Sequence, residues 1–109
     1  MSRLSLSALL ALAALGGSTS AMAHGMFCQC QGLADGQVRC VGGLSDGTAL
    51  PGATLDVIGY DEKTKIAGKL EADSSFTFAK PDGEFYVLLE MGPGHTVEVD
   101  HKEISKPRP

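Results

Sequence analysis

The chain has 109 residues, with 9 basic against 13 acidic side chains and a formal net charge of −4. A small acidic chain without a basic stripe interleaved with aromatics argues against nucleic acid or an anionic membrane surface as a partner. The length allows one domain, near the lower limit of what folds alone.

The chain opens like an export signal. Arg3 supplies a positive start, Leu4 to Leu15 form a short apolar run of Leu, Ala and Ser, and Ala21-Met22-Ala23 fits the small-x-small rule for cleavage. Residues 1–23 are therefore read as a signal peptide, the mature chain as starting at His24, and the location as periplasmic or secreted. The apolar run is well short of the ~20 residues that span a bilayer, so no direct membrane insertion is expected after cleavage. An uncleaved N-terminal anchor is the competing reading. No Cys follows the run directly, which argues against a lipoprotein start.

Beyond residue 24 the pattern is one of strands. Apolar and polar residues alternate, and clusters of Gly, Pro, Asp and Ser recur at short intervals. Phe27–Leu33 and Gln37–Gly43 form a predicted hairpin around Ala34-Asp35-Gly36. A Gly- and Pro-containing loop over Leu44–Gly52 leads to strands at Ala53–Tyr60, Lys65–Leu70 and Phe76–Ala79. Lys80-Pro81-Asp82-Gly83 is a turn. It is followed by the apolar strand Phe85–Glu90, and Gly92-Pro93-Gly94 leads into a last strand, His95–His101. About seven short strands predict an all-β fold, a single seven-stranded β-sandwich over 24–101, with a small barrel as the alternative. Residues 102–109, polar with two prolines, read as a loose tail.

The first turn decides what the cysteines can do. A three-residue loop with Gly last suits a type I turn plus bulge and pairs Leu33 with Gln37. Cys30 then faces Cys40, Cys28 faces Gly42, and all three sulfurs share one face. A two-residue turn at Asp35-Gly36 would instead turn Cys40 away. In an oxidising compartment a Cys30–Cys40 disulfide is expected, worth about 2–4 kcal/mol. The alternative is a soft-metal site on Cys28-x-Cys30 with Cys40, where two thiolates could hold Cu(I), or zinc with a third ligand. With the disulfide formed, Cys28 is left as an odd thiol.

Three histidines complete the candidates. His24 as a mature N-terminus would offer its α-amine and imidazole to one divalent transition metal, whereas the bland reading is that some residue must follow any cleavage site. His95 follows a Gly-rich turn with Met91 nearby, and His101 lies six residues on, too far along a regular strand to share a metal with it. Either could be an ordinary strand-end histidine. No Cys-x-x-Cys-His, P-loop, dinucleotide fingerprint or Gly-x-Ser-x-Gly occurs.

Two resemblances bear on these residues. Asp46-Gly47-Thr48-Ala49-Leu50-Pro51-Gly52-Ala53 resembles the opening turn of carboxypeptidase regulatory-like domains. Ala72-Asp73-Ser74-Ser75-Phe76-Thr77-Phe78 and Pro81-Asp82-Gly83-Glu84-Phe85-Tyr86-Val87 resemble their later turns and strands, with Ser74 where the family carries Gly. This likeness implies an Ig-like, prealbumin-like sandwich that is not an enzyme. The mature start His24-Gly25 and the late strand entry Gly92-Pro93-Gly94-His95 resemble the His-Gly start and Gly-x-Gly-His strand entry of periplasmic accessory proteins of nickel/cobalt uptake. That likeness implies metal ligation by His24 and His95. Cys28, four residues from His24, joins them as a candidate ligand and leans toward copper. The expected function is an exported nickel, cobalt or copper carrier beside a membrane metal transporter or another periplasmic protein. The alternative is a structural or interaction module with a disulfide and no metal.

Overall fold

The computed structural model describes residues 25–107; the expected signal peptide, His24 and residues 108–109 lie outside the described residues. Seven strands follow one another: β1 Met26–Gly32, β2 Gln37–Leu44, β3 Thr54–Gly59, β4 Thr64–Lys69, β5 Ser75–Ala79, β6 Phe85–Gly92 and β7 His95–Asp100. Each boundary falls within two residues of the one expected. The strands form two antiparallel sheets, β1-β2-β5 and β4-β3-β6-β7, consistent with a β-sandwich.

The core is the alternating inner face of both sheets. Val38, Cys40 and Phe78 from the first sheet pack with Leu55, Val57, Phe85, Val87 and Leu89 from the second. A Cβ on Gly42 would stand 2.6 Å from a Leu89 methyl carbon and 3.1 Å from a Leu70 one, so a larger residue there would force those side chains to shift. Gly68 plays the same part between β4 and Phe76.

The first hairpin follows its sequence chemistry. Leu33 N–H donates to the Gln37 carbonyl, Gly36 sits at φ +82°, and Asp35 Oδ1 accepts from Gln37 N–H. This is the three-residue turn with a glycine bulge, and it pairs Cys30 with Cys40 and Cys28 with Gly42.

The tail departs from expectation. Far from hanging loose after residue 101, His101–Glu103 form a 3-10 turn capped by the Asp100 carboxylate. Ile104 packs on the core, and Ser105 runs beside β1. Gly32 N–H donates to the Ser105 carbonyl at 2.7 Å, and Ser105 N–H donates to the Cys30 carbonyl. The physical reason is that β1 is an edge strand with unpaired backbone groups, which any passing backbone can satisfy whatever its side chains.

Two carboxylates brace turns. Asp73 accepts from the Ser75 hydroxyl and amide, and its carboxyl is held below the usual range by the hydroxyl first. Asp100 accepts from the Tyr60 hydroxyl and from Lys102 N–H, and it too is lowered, chiefly by Tyr60. Each titrates lower folded than unfolded. Its contribution is therefore complete above the unfolded value of about 3.9 and disappears as pH falls through the lowered folded value. The melting temperature is expected to fall on acidification below about pH 4. The double variant Asp73→Asn, Asp100→Asn is expected to flatten that acid limb in a melting series; an unchanged slope would contradict it.

Candidate functional site

The chemistry-bearing residues separate into three places. The first is the inner face of β1 and β2. Cys30 and Cys40 are joined by a disulfide with their Cα atoms 4.0 Å apart, and both are buried. Cys28, two residues earlier on the same face, is the free thiol. The three sulfur atoms lie within 4.8 Å of one another, and among the described residues this is the one group of three or more His, Cys, Asp or Glu donors so gathered.

Cys28 lines a recess of about 520 Å³ where β1 stands over β7, with Glu98, Val99 and Glu103 on the far wall. Its thiol is pushed up to about 11 by burial. At pH 8 the thiolate is therefore roughly one molecule in a thousand, against about a quarter for an ordinary cysteine. The stronger intrinsic nucleophilicity of a high-pKa thiolate offsets part of that loss. Alkylation of Cys28 by iodoacetamide at pH 8 is expected to be at least about tenfold slower than that of an exposed cysteine peptide. Mass spectrometry against time checks this, and equal rates would contradict it.

The second place is the corner where the described chain begins. Gly25 exchanges hydrogen bonds with Ser45, its N–H donating to the hydroxyl and its carbonyl accepting from the Ser45 amide. It thus lies at the end of the sandwich that holds the end of β2 and the starts of β3 and β5. The β6–β7 hairpin turns at that same end, where Met91, Gly92 and Pro93 share a recess with Ala49–Thr54. β7 and β1 are outer strands of their sheets and approach each other along one open edge. His95, exposed at the start of β7, therefore shares with Gly25 both the end and the edge. His24, the next residue in sequence, lies outside the described residues.

The third place is the opposite end. His101 follows the last residue of β7, with its ring 5.5 Å from that of Phe85 and 5.7 Å from that of Tyr60. Its Nε2 is enclosed, 3.9 Å from the nearer Asp100 oxygen and without a hydrogen-bond partner among the described residues. It packs against aromatics and shares no site with His95.

The expected ligands are thus divided. Cys28 turns inward to the disulfide, and His95 opens outward at the corner. Glu98 and Glu103 beside Cys28 were not foreseen, because they reach the recess only through the meeting of β1 with β7 and through the docked tail. Among the described residues no helix is long and apolar enough to cross a membrane. No protein-family model, curated protein or solved structure matches the chain.

Proposed function

We propose that the chain is exported and that its Ig-like sandwich binds a transition-metal ion as cargo, serving as a carrier or as an accessory to a membrane metal transporter. The observation that carries this reading is the shared corner of Gly25 and His95. A mature chain beginning at His24 would bring an α-amine and an imidazole to the corner where His95 offers a second imidazole. Three nitrogen donors suit nickel, cobalt or Cu(II). The resemblance of His24-Gly25 and Gly92-Pro93-Gly94-His95 to nickel/cobalt accessory proteins supports the same pair. The disulfide fits the oxidising compartment that export implies. Cys28 leaves this ligand set, since its sulfur faces the disulfide.

Nickel titration of the mature chain by calorimetry tests the reading. His24→Ala and His95→Ala are each expected to lower affinity at least about tenfold, equivalent to ~1.4 kcal/mol. Acetylating the α-amine is expected to act like His24→Ala. Unchanged affinity in all three would remove the corner site. A second reading, a non-catalytic interaction module, is favoured by Met91, which is 50% exposed in the recess with Pro51 and Pro93. Wild-type chain that takes up no metal would move the assignment there.

A further inference from the structure

We propose that Cys28, Cys30 and Cys40 form a second, redox-gated site, which takes one Cu(I) ion when the Cys30–Cys40 disulfide is reduced and gives it up when that bond re-forms. The site goes beyond the His24–His95 reading and does not depend on it.

The argument begins with register. The three-residue turn sets Cys30 opposite Cys40, and the pleat puts Cys28 on the same face one pair further along. A disulfide staple needs two cysteines, and the third is unexplained by stapling. Its sulfur sits within 4.8 Å of both others. In a trigonal site with metal–sulfur bonds of about 2.3 Å, the sulfurs stand about 4.0 Å apart. Breaking the Cys30–Cys40 bond lets those two sulfurs separate toward that spacing while Cys28 closes in by less than an ångström or so, a side-chain adjustment with no change of register.

The donor set selects the ion. No His, Asp or Glu atom among the described residues joins the three sulfurs, so a closed four-coordinate zinc site is not assembled. Soft thiolates select Cu(I), and three of them suffice for it. Gly42, opposite Cys28, leaves its side-chain position to the methyl groups of Leu89 and Leu70, which supply apolar packing on that side of the sheet. The recess past Glu98 and Val99 gives the ion its way in to Cys28.

The chemistry balances with reagents of named class. A dithiol reductant passes two electrons to the Cys30–Cys40 bond. That S–S bond breaks, the reductant closes its own disulfide, and its two protons end on Cys30 and Cys40. Cu(I) then replaces the protons of three thiols, which leave to solvent. A disulfide oxidant reverses the gate: it takes two electrons from Cys30 and Cys40, becomes a dithiol with two protons from solvent, and leaves the ion on Cys28 alone.

The test uses the full mature chain and Cu(I) itself, in competition with a bathocuproine chelator, with the disulfide intact or reduced by a phosphine. The reduced chain is expected to hold one Cu(I) at least about a hundredfold more tightly than the oxidised chain, with three sulfur neighbours by X-ray absorption. Cys28→Ser, which leaves the disulfide in place, is expected to lower the affinity of the reduced chain at least about tenfold. Running the series again in His95→Ala separates the two sites, because the sulfur site is expected to be unmoved by it. Far-UV circular dichroism accompanies each step. If reduction unfolds the chain, Cu(I) is expected to refold it, since binding and folding are then one equilibrium. Equal affinity in the two redox states, an unaffected Cys28→Ser variant, or a reduced chain that Cu(I) does not refold would each overturn the proposal.

Discussion

The double variant Cys30→Ser, Cys40→Ser is expected to be less stable than the wild type by about 3 kcal/mol. The bond closes a loop of 10 residues in sequence, so the entropy it removes from the unfolded chain is that of a short loop. Both residues are also buried, at 8% and 0% exposure, so two serine hydroxyls would enter the apolar core. A domain of this size is stable by roughly 4–12 kcal/mol, so the variant is expected to remain folded with roughly 1–9 kcal/mol left. The corresponding fall in melting temperature is about 12–24 °C. Urea unfolding of wild type and variant checks this. A loss below about 1 kcal/mol would mean that the hairpin is held by its turn and ladder and that the bond is dispensable to the fold. Cys28→Ser alone, which leaves the bond intact, is expected to cost far less, because Cys28 is only half-buried at the edge.

Phe85→Ala is expected to cost about 3–5 kcal/mol, as much as the disulfide or more. Phe85 begins β6, is fully buried, and meets the Phe78 ring edge-on at 6.5 Å across the sandwich. Its other face lies against His101, so the same ring walls the 3-10 turn that leads the tail back to β1. Truncation opens a cavity between the sheets and takes the packing away from that turn. The exchange protection of Gly32 N–H, which donates to Ser105, is therefore expected to fall more than that of Val57, in the middle of β3. Thr77→Ala, on the outward face of β5, serves as the control and is expected to stay within about 0.5 kcal/mol of wild type. A cost for Phe85→Ala similar to that of Thr77→Ala would show that the core is not organised around this ring.

Much of the fold was legible because its determinants are local. Ala34-Asp35-Gly36 chose a turn type, the turn chose the register, and the register placed three sulfurs together with no tertiary information. Alternation likewise put Leu55 and Val57 on one face of β3, which is the buried one, whereas β6 is apolar over Phe85–Leu89 and its buried set, Phe85, Val87 and Leu89, is chosen by its place in the sheet. What escaped were features made where elements distant in sequence meet. The docking of Ser105 on β1 runs through backbone groups, which leave no mark on side-chain pattern. The recess beside Cys28 needs β1 to stand over β7, and nothing in either strand names the other. Ser74 is instructive as a departure from the Gly of the resembling family. It holds a left-handed φ of 64° and is buried, with its hydroxyl accepting from Leu50 N–H at 2.6 Å. The backbone conformation that glycine would adopt freely is kept, and the side chain spent there ties the β2–β3 loop to the β4–β5 turn.

The candidate ligands were legible as residue types but not as a set. Spacing put Cys28 near His24, whereas the pleat points its sulfur inward, away from the corner that His95 shares with Gly25. The two proposals therefore assign nitrogen donors to the corner and sulfur donors to the inner face, where the sequence reading put one mixed set.

The central claim, an exported metal carrier, is tested most directly by native mass spectrometry of the chain after export from a producing cell and purification without chelators. The expected species starts at His24, is two hydrogens lighter than the fully reduced chain, and carries one transition-metal ion that His95→Ala loses. A chain that arrives metal-free and stays so when nickel, cobalt, copper and zinc are added in turn would contradict the claim and leave an exported interaction module.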